Sequence, residues 1–109
     1  MNYRYGQLSK EQIKSTKDNM RKQIFFLLII VDPATAPEYQ NISVDAAFEN
    51  TLSTFGGLND LLGYPSEFVK IISLLNAAYL EYKNESFKWE KYRKLILDAG
   101  CAVLKIKEV

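Results

Sequence analysis

The chain has 109 residues, 48% of them hydrophobic and 25% charged, with a net charge of +1, the balance of one soluble domain and not of a disordered tail. A chain of this length can bury on the order of 65% of its unfolded surface, so neither a metal nor disulfides are needed to hold it together. It has no histidine and a single cysteine, Cys101, which excludes a His-bearing zinc site, a Ser-His-Asp triad, a Cys-His nucleophile pair and an internal disulfide, and points to a reducing compartment.

Residues 1–8 read as a short flexible N-terminus without the apolar core of a secretory signal. Ser9 with Gln12 forms a capping-box pattern, and Ile13, Met20, Ile24, Leu27 and Val31 continue at helical spacing, predicting a helix over 10–31 that becomes apolar all round at its end. The run Ile24–Val31 is only 8 residues long, far short of the ~20 that span a membrane. Asp32-Pro33 stops the helix, because a residue before proline is pushed out of the α region. Asp32 to Asn41, with Pro33 and Pro37, reads as a loop.

Ser43 can cap a second helix over 44–62, with Val44, Phe48, Leu52, Phe55 and Leu58 on its apolar stripe. Gly56-Gly57 interrupts that stripe at about 1 kcal/mol per glycine against alanine, which predicts a kink or a close backbone approach. Pro65 and Glu67 mark the start of a third helix over 65–83, where Phe68, Ile72, Leu75, Tyr79 and Tyr82 form the stripe and Val69, Ile71 and Ala78 widen it. Ser86 is expected to cap a fourth helix over 87–106 carrying Trp89, Tyr92, Ile96, Ala99, Val103 and Ile106. The fold class is therefore all-α, one bundle of four helices, and the short connections favour antiparallel neighbours.

The charges are sorted along the chain. Residues 1–23 are basic, residues 32–69 hold Asp32, Glu38, Asp45, Glu49, Asp60 and Glu67 without a lysine or arginine, and residues 70–109 are basic again. Such sorting speaks of partners and not of fold. Asp45, Glu49, Asn59 and Asp60, with Tyr64 beyond them, are the candidate partner-binding residues, offered to a basic protein surface. The bland alternative is a solvated acidic face answering the protein's own basic helices.

Lys10, Lys14, Lys17 and Arg21 share a helical face that would suit phosphates. The near-neutral total and the lack of a turn motif placing a recognition helix argue against dedicated nucleic-acid binding. Lys88, Lys91, Arg93 and Lys94 interleave with Phe87, Trp89 and Tyr92, a mixture used on single strands. Trp89, Tyr92 and Ile96 fall on one face, however, so core packing with solvated bases is the plainer account. No acid pair or phosphate loop recommends catalysis.

The segments Arg21-Lys22-Gln23-Ile24-Phe25-Phe26-Leu27-Leu28, Val31-Asp32-Pro33, Phe48-Glu49-Asn50 and Tyr92-Arg93-Lys94-Leu95-Ile96-Leu97-Asp98-Ala99-Gly100 resemble small proteins encoded by phages and prophages of Gram-positive bacteria. The resemblance spans residues 20–109 and transfers no functional residue. It implies one of two roles: inhibition of a host defence nuclease, as by anti-CRISPR proteins, or virion assembly, as by tail assembly chaperones. Inhibitors that mimic DNA tend to be strongly acidic, and this chain is not. The reading at this point is a cytoplasmic, non-enzymatic protein without cofactor or metal. Its partner is a protein, either a defence nuclease or a phage structural protein, with a small nucleic-acid-binding regulator as the third class.

Overall fold

The computed structural model describes residues 9–61 and 66–106. Four helices account for most of them: α1 (Lys10–Ile29), α2 (Val44–Leu61), α3 (Ser66–Tyr82) and α4 (Trp89–Leu104). The fold is all-α, a four-helix bundle, as the apolar periodicity predicts. The expected N-terminal segment 1–8, Leu62 and Pro65 lie outside the described residues.

The capping box at α1 is present in both halves: the Gln12 backbone N–H donates to Ser9 Oγ at 3.1 Å, and the Ser9 N–H donates to Gln12 Oε1 at 2.8 Å. Ser43 likewise accepts the Ala46 N–H at 3.2 Å at the start of α2. The predicted boundaries need correction at both ends of the set. Helix α1 stops at Ile29 and not at Val31, because the Val31 N–H turns onto the Leu28 carbonyl at 3.2 Å and leaves the Leu27 carbonyl to the Tyr92 hydroxyl at 2.7 Å. The loop that follows is not structureless, since Ala36–Tyr39 winds one 3₁₀ turn with Pro37 in its first positions.

Helix α4 begins at Trp89, two residues later than expected, and Ser86 does not cap it. The Ser86 N–H is taken by the Asn84 side chain at 2.9 Å in a local turn. Lys88 is the cap residue, with extended backbone and no side-chain cap bond of its own. Its N–H instead donates to the carboxylate of Glu81, on α3, at 3.1 Å.

Each helix packs on its neighbours in sequence, and α4 returns onto α1 to close the ring. Three contacts fix the α1–α4 pair as antiparallel: Lys17 with Ile106 O, Phe25 with Gly100, and Leu27 O with Tyr92. Inside the ring lie Met20, Ile24, Leu27, Phe48, Phe55, Phe68, Ile71, Leu75, Ile96 and Val103, all fully buried. At one end the core is aromatic. Phe48 stacks on Tyr79 with centroids 4.7 Å apart, and Tyr92 meets Phe48, Tyr82, Phe87 and Trp89 at 5.8–6.5 Å, geometries worth about 0.5–1.5 kcal/mol per pair beyond area burial.

Three expectations about side chains are overturned. Val69 does not widen the core stripe; it is 49% exposed. The end of α1 is not buried all round, since Phe26 and Ile29 stand partly in solvent. Gly56 and Gly57 are not a close approach: α2 runs through them without interruption, and a Cβ added at either would meet nothing within 4 Å. The glycine that does permit a close approach is Gly100, where an added Cβ would lie 3.0 Å from the Phe25 ring.

Candidate functional site: the acidic ridge of α2 and the groove beside it

Helix α2 carries three acids, Asp45, Glu49 and Asp60, and no base. Asp45, Glu49, Ser53, Gly57 and Asp60 recur at spacings of 4, 4, 4 and 3, which places them on one side of a helix. All five are exposed. They form a ridge with acids at both ends and small residues in the middle, and Asp45 and Asp60 are about 22 Å apart along the axis at 1.5 Å per residue. The three candidate acids thus share a side of the helix without converging on a point.

At the near end Asp45 is tied into the protein. It accepts the Tyr79 hydroxyl at 2.8 Å, and its place in the first turn suits the positive end of the helix dipole. That hydrogen bond, reinforced by partial burial and the negative charges of Asp45 and Glu49, pushes the Tyr79 phenol up to about 12. The Lys83 ammonium lies 4.0 Å from the centre of the Tyr79 ring, so a cation borders this end of the ridge. Glu49 makes no such bond and is the freer of the two carboxylates.

At the far end Asp60 is exposed but Asn59 is half-buried. The Asn59 Oδ1 atom is out of solvent and has no hydrogen-bond partner among the described residues, so Asn59 faces inward and leaves the surface role to Asp60. Tyr64 lies outside the described residues. Tyr92 is fully buried and belongs to the core, as its place on one face with Trp89 and Ile96 leads one to expect.

Beside the ridge, α1 and α2 leave an open groove of about 390 Å³, lined by Lys22, Gln23, Phe26, Ala47, Thr51 and Thr54 among others. Phe26 meets Tyr39 edge-to-face at 6.0 Å, and Ile29 and Ile42 are also partly exposed. Sequence reasoning missed this groove because it assigned the end of α1 wholly to the core. A continuous apolar run gives no indication of which of its members face outward.

The basic face of α1 is partly consumed internally. Lys17 Nζ donates to the Ile106 carbonyl at 2.7 Å, just past the end of α4, where a cation meets the negative end of the dipole. The Arg21 guanidinium lies 5.3 Å from the Phe25 ring, the ring that packs on Gly100. Among the described residues no group of three or more His, Cys, Asp or Glu is placed to hold a metal ion, and no helix is long and apolar enough to cross a membrane. Compared with known family models, curated proteins and solved structures, the chain matches none.

Proposed function

We propose that the protein acts by stoichiometric binding to another protein, with the acidic ridge of α2 set against a basic surface. The observation that carries this reading is the ridge itself: Glu49 and Asp60 stand in solvent on a helix that contains no lysine or arginine. An exposed carboxylate row without interleaved bases steers oppositely charged surfaces toward it, and the adjoining groove supplies apolar contact area through Phe26. In its most specific form the partner is the nucleic-acid-binding channel of a bacterial defence nuclease, in the cytoplasm, and the protein is an inhibitor of the anti-CRISPR class. The acids there occupy the place of phosphates over a limited length, so global acidity is not required.

Charge reversal at Asp45 and Glu49, both to Lys, is expected to abolish partner capture and inhibition while the helical melt stays cooperative. The variant Tyr79→Phe controls for the lost Asp45 hydrogen bond and is expected to leave capture intact. Retained capture by the charge-reversed protein removes α2 from the mechanism. A second reading, a chaperone for a phage tail protein, draws on the groove between α1 and α2 with Phe26 in its lining, and on the exposed Ile29 and Ile42 elsewhere on the surface, apolar area of the kind that shields another chain's segment. That reading predicts that Phe26→Glu, and not charge reversal on α2, abolishes capture.

A further inference from the structure

A second surface complements the α2 ridge in charge at one end and in shape along its middle. On their outer side α3 and α4 leave a seam made of two adjoining depressions of about 270 and 300 Å³. Lys70 and Lys105 flank one end, Leu74, Leu80 and Leu95 line the middle, and Lys91 stands at the other end. Leu80 is 67% exposed, the highest value among the large apolar side chains of the described residues. The acids along the seam are already neutralised: Asp98 pairs with Lys94 at 3.3 Å and Glu81 with Lys91 at 3.2 Å. Lys70 and Lys105 have no ion-pair partner among the described residues, so the seam has a positive end and a protruding leucine.

The ridge of α2 is the counterpart. It has acids at its ends, and between them lies the stretch from Ser53 to Gly57, where nothing lies within 4 Å of a Cβ built on Gly56 or Gly57. The lengths agree, with Asp45 to Asp60 spanning about 22 Å and Lys105 to Lys91 about 21 Å at 1.5 Å per residue. We propose that the α3–α4 seam docks the α2 ridge of a second copy of this chain. Asp45 and Glu49 face Lys70 and Lys105, Leu80 enters the gap at Gly56-Gly57, and Asp60 lies at the neutral end, beside the Lys91–Glu81 pair.

The glycine pair then has a role that the isolated chain does not give it. Any side chain at Gly57 would fill the space the partner's Leu80 takes. Because the two surfaces differ, the association is heterologous, head to tail, and extends beyond a dimer unless the rotation closes a ring. One ridge in one seam is a small contact, which places the association in the weak, concentration-dependent class. The inference is independent of any foreign partner, although a partner on α2 competes with it.

Sedimentation velocity of the purified full-length protein tests it, from micromolar to millimolar concentration, with two charge variants. Glu49→Lys/Asp60→Lys makes the ridge basic, and Lys70→Glu/Lys105→Glu makes the seam acidic; none of these four side chains has a hydrogen bond or ion pair to another described residue. The wild type is expected to self-associate at low salt and to dissociate in about 1 M salt, where the screening length is about 3 Å. Each variant alone is expected to stay monomeric, and an equal mixture of the two is expected to associate again. A wild type that is monomeric throughout overturns the proposal, as does association that persists in either variant alone. Circular dichroism identifies a variant that has lost its fold, and single reversals at Glu49 and Lys105 then take its place. Because no foreign partner is present, failure here leaves the partner reading standing.

Discussion

Tyr92 is the residue that ties the bundle together. Its ring touches aromatics from α2, α3 and the connection before α4, and its hydroxyl donates to the Leu27 carbonyl at 2.7 Å in a buried setting. That carbonyl belongs to the last turn of α1, where four acceptors lack a helical partner. Phe26 O is bonded by Ile30, Leu28 O by Val31 and Asp32, and Ile29 O by the Thr35 hydroxyl at 2.6 Å. Tyr92 supplies the bond the loop does not. Burial pushes its phenol well above the ordinary tyrosine range, so it stays a donor through neutral pH. Tyr92→Phe is expected to lower stability by about 1–2 kcal/mol, the cost of leaving one buried carbonyl unbonded, as measured by chemical denaturation with an unchanged m-value.

The glycines make a paired prediction at the same scale. Gly57 faces open space, so Gly57→Ala is expected to stabilise the monomer by about 0.5–1 kcal/mol through helix propensity alone. Gly100 lies against Phe25, whose ring also carries Arg21, so Gly100→Leu is expected to destabilise by about 1–3 kcal/mol through overpacking. Thermal melts at low concentration and high salt check both without self-association. The opposite ordering of the two variants contradicts the packing described here. Sequence alone pointed to the wrong glycine: a Gly-Gly pair is conspicuous, whereas the contact that needs Gly100 is made by a residue of α1 far away in the chain.

At the scale of elements, helix existence and most core faces were legible because the 3.6-residue period runs through nearly every stretch. Ser9 and Ser43 were legible caps because their partners sit three residues on. The start of α4 was not, because its cap comes from another helix. Glu81 is buried, accepts the Lys88 N–H and pairs with Lys91 at 3.2 Å; an acid near the end of a helix gives no local sign of capping the next one. The Lys88 N–H, aided by Lys91, holds the Glu81 carboxyl below its ordinary value of 4.5 in spite of burial.

The sign of the pH dependence follows. A carboxyl with a depressed pKa in the folded state contributes stability that is complete above its unfolded value and is lost as pH falls through the folded one. Glu81→Gln is therefore expected to lower the melting temperature at neutral pH and to flatten its decline below pH 4.5, measured by melts across that range. A variant whose acid limb matches the wild type contradicts the capping role. The 3₁₀ turn in the proline loop and the two-residue shift in the end of α1 are the same lesson at lower cost: both depend on where Thr35 and Val31 find acceptors, which periodicity does not encode.

For the whole molecule, the sorting of charge along the chain becomes a sorting in space. Three of the six acids of the acid-only segment, Asp45, Glu49 and Asp60, stand on the outward ridge of α2, and bases lie on α1, which spends Lys17 and Arg21 internally, and along the α3–α4 seam. The candidate acids were legible as a group from composition, and their common side followed from helical spacing. That Asn59 turns inward and that a groove opens beside α2 were not legible, since both depend on how the helices pack. A ridge with acids at both ends and no base, on a helix next to partly exposed Phe26 and Ile29, is the basis for proposing that this protein works by holding another protein.

The most direct test is affinity purification of the tagged protein from phage-infected Gram-positive cells at moderate salt, with mass spectrometry of what co-elutes and in what ratio. A host defence nuclease in near-equal amount, absent when Asp45 and Glu49 are both changed to Lys, is the predicted result. A tail component retained by that variant, or no stoichiometric protein partner at all, contradicts the account.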